Sequence, residues 1–81
     1  MDERDILVRI GELVEEERRL RDLHERGELN QAEEQRRLMR LEVALDQFWD
    51  LLRQRRAKDR AGEDPDEADV RPPGEVEGYL Q

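Results

Sequence analysis

Residues 38–56 read L-M-R-L-E-V-A-L-D-Q-F-W-D-L-L-R-Q-R-R and contain the only Trp and the only Phe of the chain. Leu38, Leu41, Leu45, Phe48 and Leu52 recur there at alternating steps of three and four. Residues so spaced share one side of a helix, so the pattern is the seam of a helix packed on another helix. Upstream, Ile6, Ile10, Leu13, Glu17, Leu20 and His24 continue the same rhythm, and Leu7 and Val14 widen that stripe on one flank. Asp2 or Asp5 supplies an N-cap for the upstream helix, and Glu3 adds negative charge where the helix dipole favours it.

Between the two stripes lies Gly27-Glu28-Leu29-Asn30. Gly27 suits a left-handed helix cap, and Asn30 followed by Glu33 is the signature of a new helix start. A link this short turns the second helix back on the first. The expected fold is therefore all-α: an antiparallel, coiled-coil-like hairpin with a helix over 3–26, a turn over 27–30 and a helix over 31–61. At the usual rise the second helix is about 45 Å long.

Antiparallel pairing predicts a register in which Ile6 meets Leu52, Ile10 meets Phe48, Leu13 meets Leu45 and Leu20 meets Leu38. Glu17 falls opposite Leu41 and must reach solvent or an Arg, because a buried unpaired carboxylate is costly. His24 falls opposite Glu34 beside the turn. In this register Leu7, Val14 and Trp49 form an apolar strip on one side of the seam that the two helices do not cover. A two-helix hairpin of this size is marginal alone. The strip is therefore expected to dock a partner protein, a second copy in a four-helix bundle, or the chain's own tail; symmetric pairing makes the homodimer the leading expectation.

Of the 81 residues 47% are charged, and the formal net charge is −8. Such a composition approaches disorder unless the apolar residues are patterned, as they are here. The chain contains no Cys, Ser or Thr, and His24 and Lys58 are each the sole residue of their type. Disulfides, Cys, Ser and Thr nucleophiles and Cys-based zinc sites are thereby excluded. One His among scattered acids is no metal-ligand set, and Arg21 rather than Glu stands three before it. No catalytic residue, cofactor, metal or small-molecule substrate is expected, and the protein is read as a non-enzyme. Asp46 and Asp50 flank Trp49 four residues apart, and are read as an exposed ion-pair ladder with Arg53. No run approaches the ~18 apolar residues of a membrane span, and the start lacks a signal-peptide core, so the expected compartment is the cytoplasm.

The second helix ends in Arg53, Arg55, Arg56, Lys58 and Arg60. These residues complement the C-terminal helix dipole and the acids that follow; as a second reading they contact RNA or DNA phosphates. Residues 62–81 carry seven acids against Arg71 alone, −6 of the chain's −8. Pro65, Pro72, Pro73, Gly74 and Gly78 exclude a long helix there. One turn after Pro65 is expected, in a tail over 62–81 that is otherwise extended or docked. Val70, Val76, Tyr79 and Leu80 are the residues able to dock it, and its acids can fold onto the basic cluster.

The run L-D-Q-F-W-D-L-L-R-Q-R-R-A, with G-E-D-P-D-E-A, V-R-P and V-E-G-Y-L-Q after it and D-I-L-V-R-I and L-V-E-E-E-R-R-L before it, resembles the small actinobacterial family called domain of unknown function 2630. The likeness covers nearly the whole chain. Phe48 departs from it, standing where a smaller residue or Cys is expected, which concerns packing in the seam. The resemblance implies a bacterial cytoplasmic protein in which residues 62–81 are an integral part, and it supplies no activity.

Two functions follow as expectations. The first is a non-enzymatic protein–protein interaction or scaffold module acting through Leu7, Val14 and Trp49. The second is an RNA- or ribosome-associated regulator acting through the basic end of the second helix.

Overall fold

The computed structural model describes the backbone of residues 1–80 and the side chains of residues 1–76. Helix α1 spans Glu3–Glu25 and helix α2 spans Gln31–Arg60; a single 3-10 turn at Pro65–Glu67 and a short helix α3 at Pro73–Leu80 follow. Among the described residues there is no strand, and no helix is long and apolar enough to cross a membrane.

Local chemistry sets each boundary. At the start of α1 the Asp2 carboxylate accepts from the Asp5 N–H at 2.9 Å, and the Asp5 carboxylate accepts in turn from the Asp2 N–H. This reciprocal box satisfies donors that a helix start otherwise leaves open, and the Asp5 N–H holds the Asp2 carboxyl below its usual range. Asn30 caps α2 by accepting from the Glu33 N–H at 2.8 Å. Glu33 does not reach back to complete a second box; it pairs with Arg36 and Arg37.

Both long helices end in the same way. Gly27 N–H donates to His24 O and Glu28 N–H to Leu23 O; Gly62 N–H donates to Asp59 O and Glu63 N–H to Lys58 O. This double bond pattern needs a left-handed residue, and Gly27 and Gly62 adopt φ of 75° and 76°. The His24 ring adds a stitch across the turn, donating from Nδ1 to the Leu29 carbonyl at 2.9 Å.

The helices pack antiparallel in the expected register. At one end Arg56 reaches Glu3 at 2.7 Å, and at the turn His24 lies 3.9 Å from Glu34. Ile6, Ile10, Leu51 and Leu52 form the buried cluster, with Leu45, Phe48 and Ala68 packed against it. Leu13 and Leu20 extend the buried stripe along α1. Glu17, opposite Leu41, escapes burial by turning to Arg21 at 3.3 Å.

The tail carries one short helix that the expectation of an extended or docked segment did not include. The turn after Pro65 forms, its N-cap Asp64 accepting from Asp66 N–H at 3.0 Å, but the chain beyond it is not extended to the end. Pro73 opens α3, and proline is favoured at the first helical position because its missing N–H has no partner there anyway. Pro72 O accepts from Glu75 N–H and Val76 N–H. Two prolines that bar a long helix therefore start a short one. Hairpin and tail together make a thin slab, with principal extents of 51 × 25 × 15 Å.

Candidate interaction surfaces

The tail runs back along α2, antiparallel to it, on a polar stripe. Gln47, Asp50 and Gln54 recur at three and four residues along the outer side of α2, and Arg55 and Lys58 flank them. Gln54 Nε2 donates to Asp69 O at 2.8 Å, Gln47 Nε2 to Arg71 O at 3.1 Å, and Arg55 Nη1 to Pro65 O at 3.2 Å. Three side chains of one helix thus satisfy three main-chain carbonyls of the tail.

The strap closes on Asp50. Arg71 donates through Nε to one carboxylate oxygen at 2.8 Å and through Nη2 to the other, and Gln54 donates to the carboxylate as well. This is the bidentate fork that suits a guanidinium to a carboxylate. The Asp50 side chain is 1% exposed and that of Arg71 37%. Hydrogen bonding from Arg71, and secondarily from Gln54, holds the Asp50 carboxyl below the usual carboxylate range against the opposing effect of burial. An acid so held has no proton to give near neutrality and does not suit general-acid work.

Two expectations are corrected here. Asp50 is not exposed; it is the buried anchor of the tail, and Arg71 joins Arg53 as a cation acting on it. Val70 is not a docking residue, being 50% exposed, whereas Val76 is completely buried where α3 lies along α2. The side chains of Tyr79 and Leu80 lie outside the described residues.

The basic end of α2 is met by the chain's own acids. Arg55 pairs with Asp66 at 2.9 Å and Arg56 with Glu3, while Lys58 lies 3.5 Å from Glu63 and 4.0 Å from Glu67. Arg53 and Arg60 are exposed. A cleft of about 610 Å³ remains between tail and hairpin, lined by Met1, Asp5, Phe48, Leu51, Asp66 and Val70. Among the described residues no three His, Asp or Glu side chains converge on a point where a metal ion could sit.

Among the described residues, the tail leaves the other flank of the hairpin uncovered. Leu7, Val14 and Trp49 lie on the flank away from Asp5 and Leu51, which face Asp66, Ala68 and Val70 of the tail. Leu7, Val14 and Trp49 remain 43%, 44% and 42% exposed. Gly11 stands between Leu7 and Val14 on the same stripe, and nothing lies within 4 Å of where its Cβ would be. A glycine inside a helix costs roughly 0.8–1 kcal/mol relative to alanine, and no contact within the chain requires one.

Gln47, Gln54, Arg71, Leu51 and Gly11 escape a reading based on apolar periodicity. The signal for the first two was present as a second, polar stripe sharing the helical rhythm with Asp50. Leu51 lies outside the hairpin seam and is buried because Ala68 and the rest of the strap close over its side of α2.

A helical hairpin strapped by its own C-terminal segment is thus the class that fold and surfaces define. Residues 2–81 match the family described as "Protein of unknown function (DUF2630)", and the chain belongs to that family. It is similar to an uncharacterized protein of Mycobacterium bovis and to uncharacterized proteins of two strains of Mycobacterium tuberculosis. Each is 51% identical over 76 residues, covering 94% of this chain and 87% of the relative. No solved structure matches the chain.

Proposed function

We propose that this protein is a non-enzymatic interaction module that docks through the flank bearing Leu7, Val14 and Trp49. The observation that carries this is the asymmetry of cover: the tail closes one flank and the outer side of α2, and the Trp-bearing flank stays open. An exposed Trp beside two aliphatic residues is the composition of a docking centre rather than of a solvated helix surface. The partners are a second copy of the chain, giving a four-helix bundle, and an unidentified bacterial protein. The cytoplasm is the compartment assigned, and neither a membrane nor a small-molecule substrate is involved.

Nucleic acid is the weaker alternative, because Arg55, Arg56 and Lys58 each already have a carboxylate of this chain within ion-pair distance. The test is Trp49→Glu, followed by intact mass in solution, helicity and capture of partners from cell extract. Docking predicts retained helicity with loss of the dimer mass and of captured protein. Unchanged mass and unchanged capture would sink the proposal.

A further inference from the structure

We infer that two copies cross antiparallel, α1 on α1, with Gly11 at the point of closest approach and a two-fold axis passing beside it. This rests on the docking role of the same flank proposed above and adds to it the occupant, its direction and the residue that sets the spacing.

Glycine is the poorest helix former after proline, and Gly11 lies in the interior of α1 with open space where its side chain would be. Leu7 precedes it by one turn and Val14 follows it by one turn, both nearly half exposed. An absent side chain at the centre of an exposed apolar stripe removes the atoms that hold a second helix backbone off. It serves no purpose on a surface that meets only water. Beside it, Trp49 is the bulky counterpart on α2, so the two layers sit close where α1 meets α1 and further apart where the Trp rings meet.

Charge selects a second copy as the occupant. Along this flank α1 runs from Glu3 through Leu7, Gly11 and Val14 to Arg18, and α2 runs from Glu42 through Trp49 to Arg53. On α1 the middle is apolar, with Glu3 and Arg4 at the earlier end and Arg18 at the later; on α2 Glu42 and Asp46 precede Trp49 and Arg53 follows it. Turned end for end about an axis between residues 10 and 11, one copy sets Leu7 against Val14 of the other. The same turn sets Arg53 against Glu42, and brings Arg18 to Glu3, whose carboxylate also holds Arg56 of its own chain. Glu42 is exposed and makes no ion pair among the described residues. Arg18 has only a 3.7 Å approach to Glu15, with both side chains more than 60% exposed. A surface that complements itself in this way closes as an isologous dimer.

The 81-residue chain contains no Cys, which makes a single-cysteine test clean. Gly11→Cys should give a disulfide-linked dimer in air, because two thiols beside a two-fold axis fall within bridging distance. Met39→Cys, about two turns along the hairpin from the proposed axis and 66% exposed, should not. In parallel, Gly11→Ala should raise the melting temperature of the dilute, monomeric chain while weakening dimerisation at least tenfold. A dimeric wild type in which Gly11→Ala leaves the dissociation constant unchanged, or Gly11→Cys fails to cross-link, overturns the crossing and leaves the docking role standing. A wild type that stays monomeric at high concentration overturns the crossing, as does a Gly11→Cys chain that crosslinks no faster than a Met39→Cys chain. Trp49→Glu and partner capture then judge the docking role separately.

Discussion

The Arg71 guanidinium grips both carboxylate oxygens of Asp50 from a position 21 residues further along the chain. Asp50 is the most deeply buried charged side chain among the described residues, and the tail supplies its cation. Removing either partner has unequal effects. Arg71→Ala removes the bidentate partner of a buried carboxylate, leaving it Gln54 and the field of Arg53, and should cost about 1–3 kcal/mol, the usual range for a buried acceptor that loses a partner. Hydrogen exchange read residue by residue should show the loss concentrated in residues 62–76, with the α1–α2 seam slower to respond. Uniform acceleration through both long helices would mean that the strap is not a separable layer.

Acid should release the strap. The carboxyl of Asp50 is held below its unfolded value, so its contribution is complete above the ordinary aspartate pKa of about 3.9 and disappears as pH falls through the lower folded value. Docking of residues 63–76 should be insensitive to this group between neutrality and about pH 5, should begin to weaken below about pH 4, and should lose this contribution as pH falls through the lower folded value. Carboxyl carbon shifts of Asp50 followed by NMR check the direction. In Arg71→Ala the Asp50 midpoint should move up.

Leu51 and Leu52 are both buried, the first 5% exposed and the second 1%. Truncation of a buried leucine to alanine costs about 2–5 kcal/mol. Leu51→Ala and Leu52→Ala should therefore destabilise comparably in urea, although only Leu52 lies on the hairpin seam. A Leu51→Ala effect below about 1 kcal/mol, outside that range, would show that the tail does not shield this side of α2.

The glycines should separate by backbone conformation. Gly27→Ala forces a Cβ into the left-handed region and should cost about 1–2 kcal/mol, read as a lower urea midpoint. Gly11 has ordinary helical geometry, so the corresponding change there should stabilise the isolated chain. Opposite signs at two glycines of the same helical hairpin are the diagnostic result.

The hairpin was legible because its determinants are periodic and local. Ile6, Ile10 and Leu13 on one helix and Leu45, Phe48 and Leu52 on the other repeat every three to four residues, and Gly27 and Asn30 punctuate them. The strap was not legible because a polar stripe and a solvated helix surface have the same composition. Gln47, Asp50 and Gln54 read as surface until a tail with carbonyls to satisfy is placed against them, and Asp50 had a nearer cation in Arg53 than in Arg71. Val76 and Val70 illustrate the limit: both are lone valines among acids and prolines, and only the start of α3 at Pro73 decides which one is turned inward. The open flank was legible as a strip of Leu7, Val14 and Trp49, while the glycine at its centre carries no weight in a count of apolar residues.

The thinness of the slab has a consequence for scattering. The Cα radius of gyration is 15.2 Å, against about 12 Å for a compact domain of this length. A second layer laid on the open flank, one helix spacing of about 8–10 Å away, would raise that radius only to about 16 Å while doubling the mass. End-to-end association would instead stretch the particle well beyond its 51 Å length. A dimer of this protein would thus be more nearly isometric than its monomer, and its forward scattering would double with almost no change in apparent size.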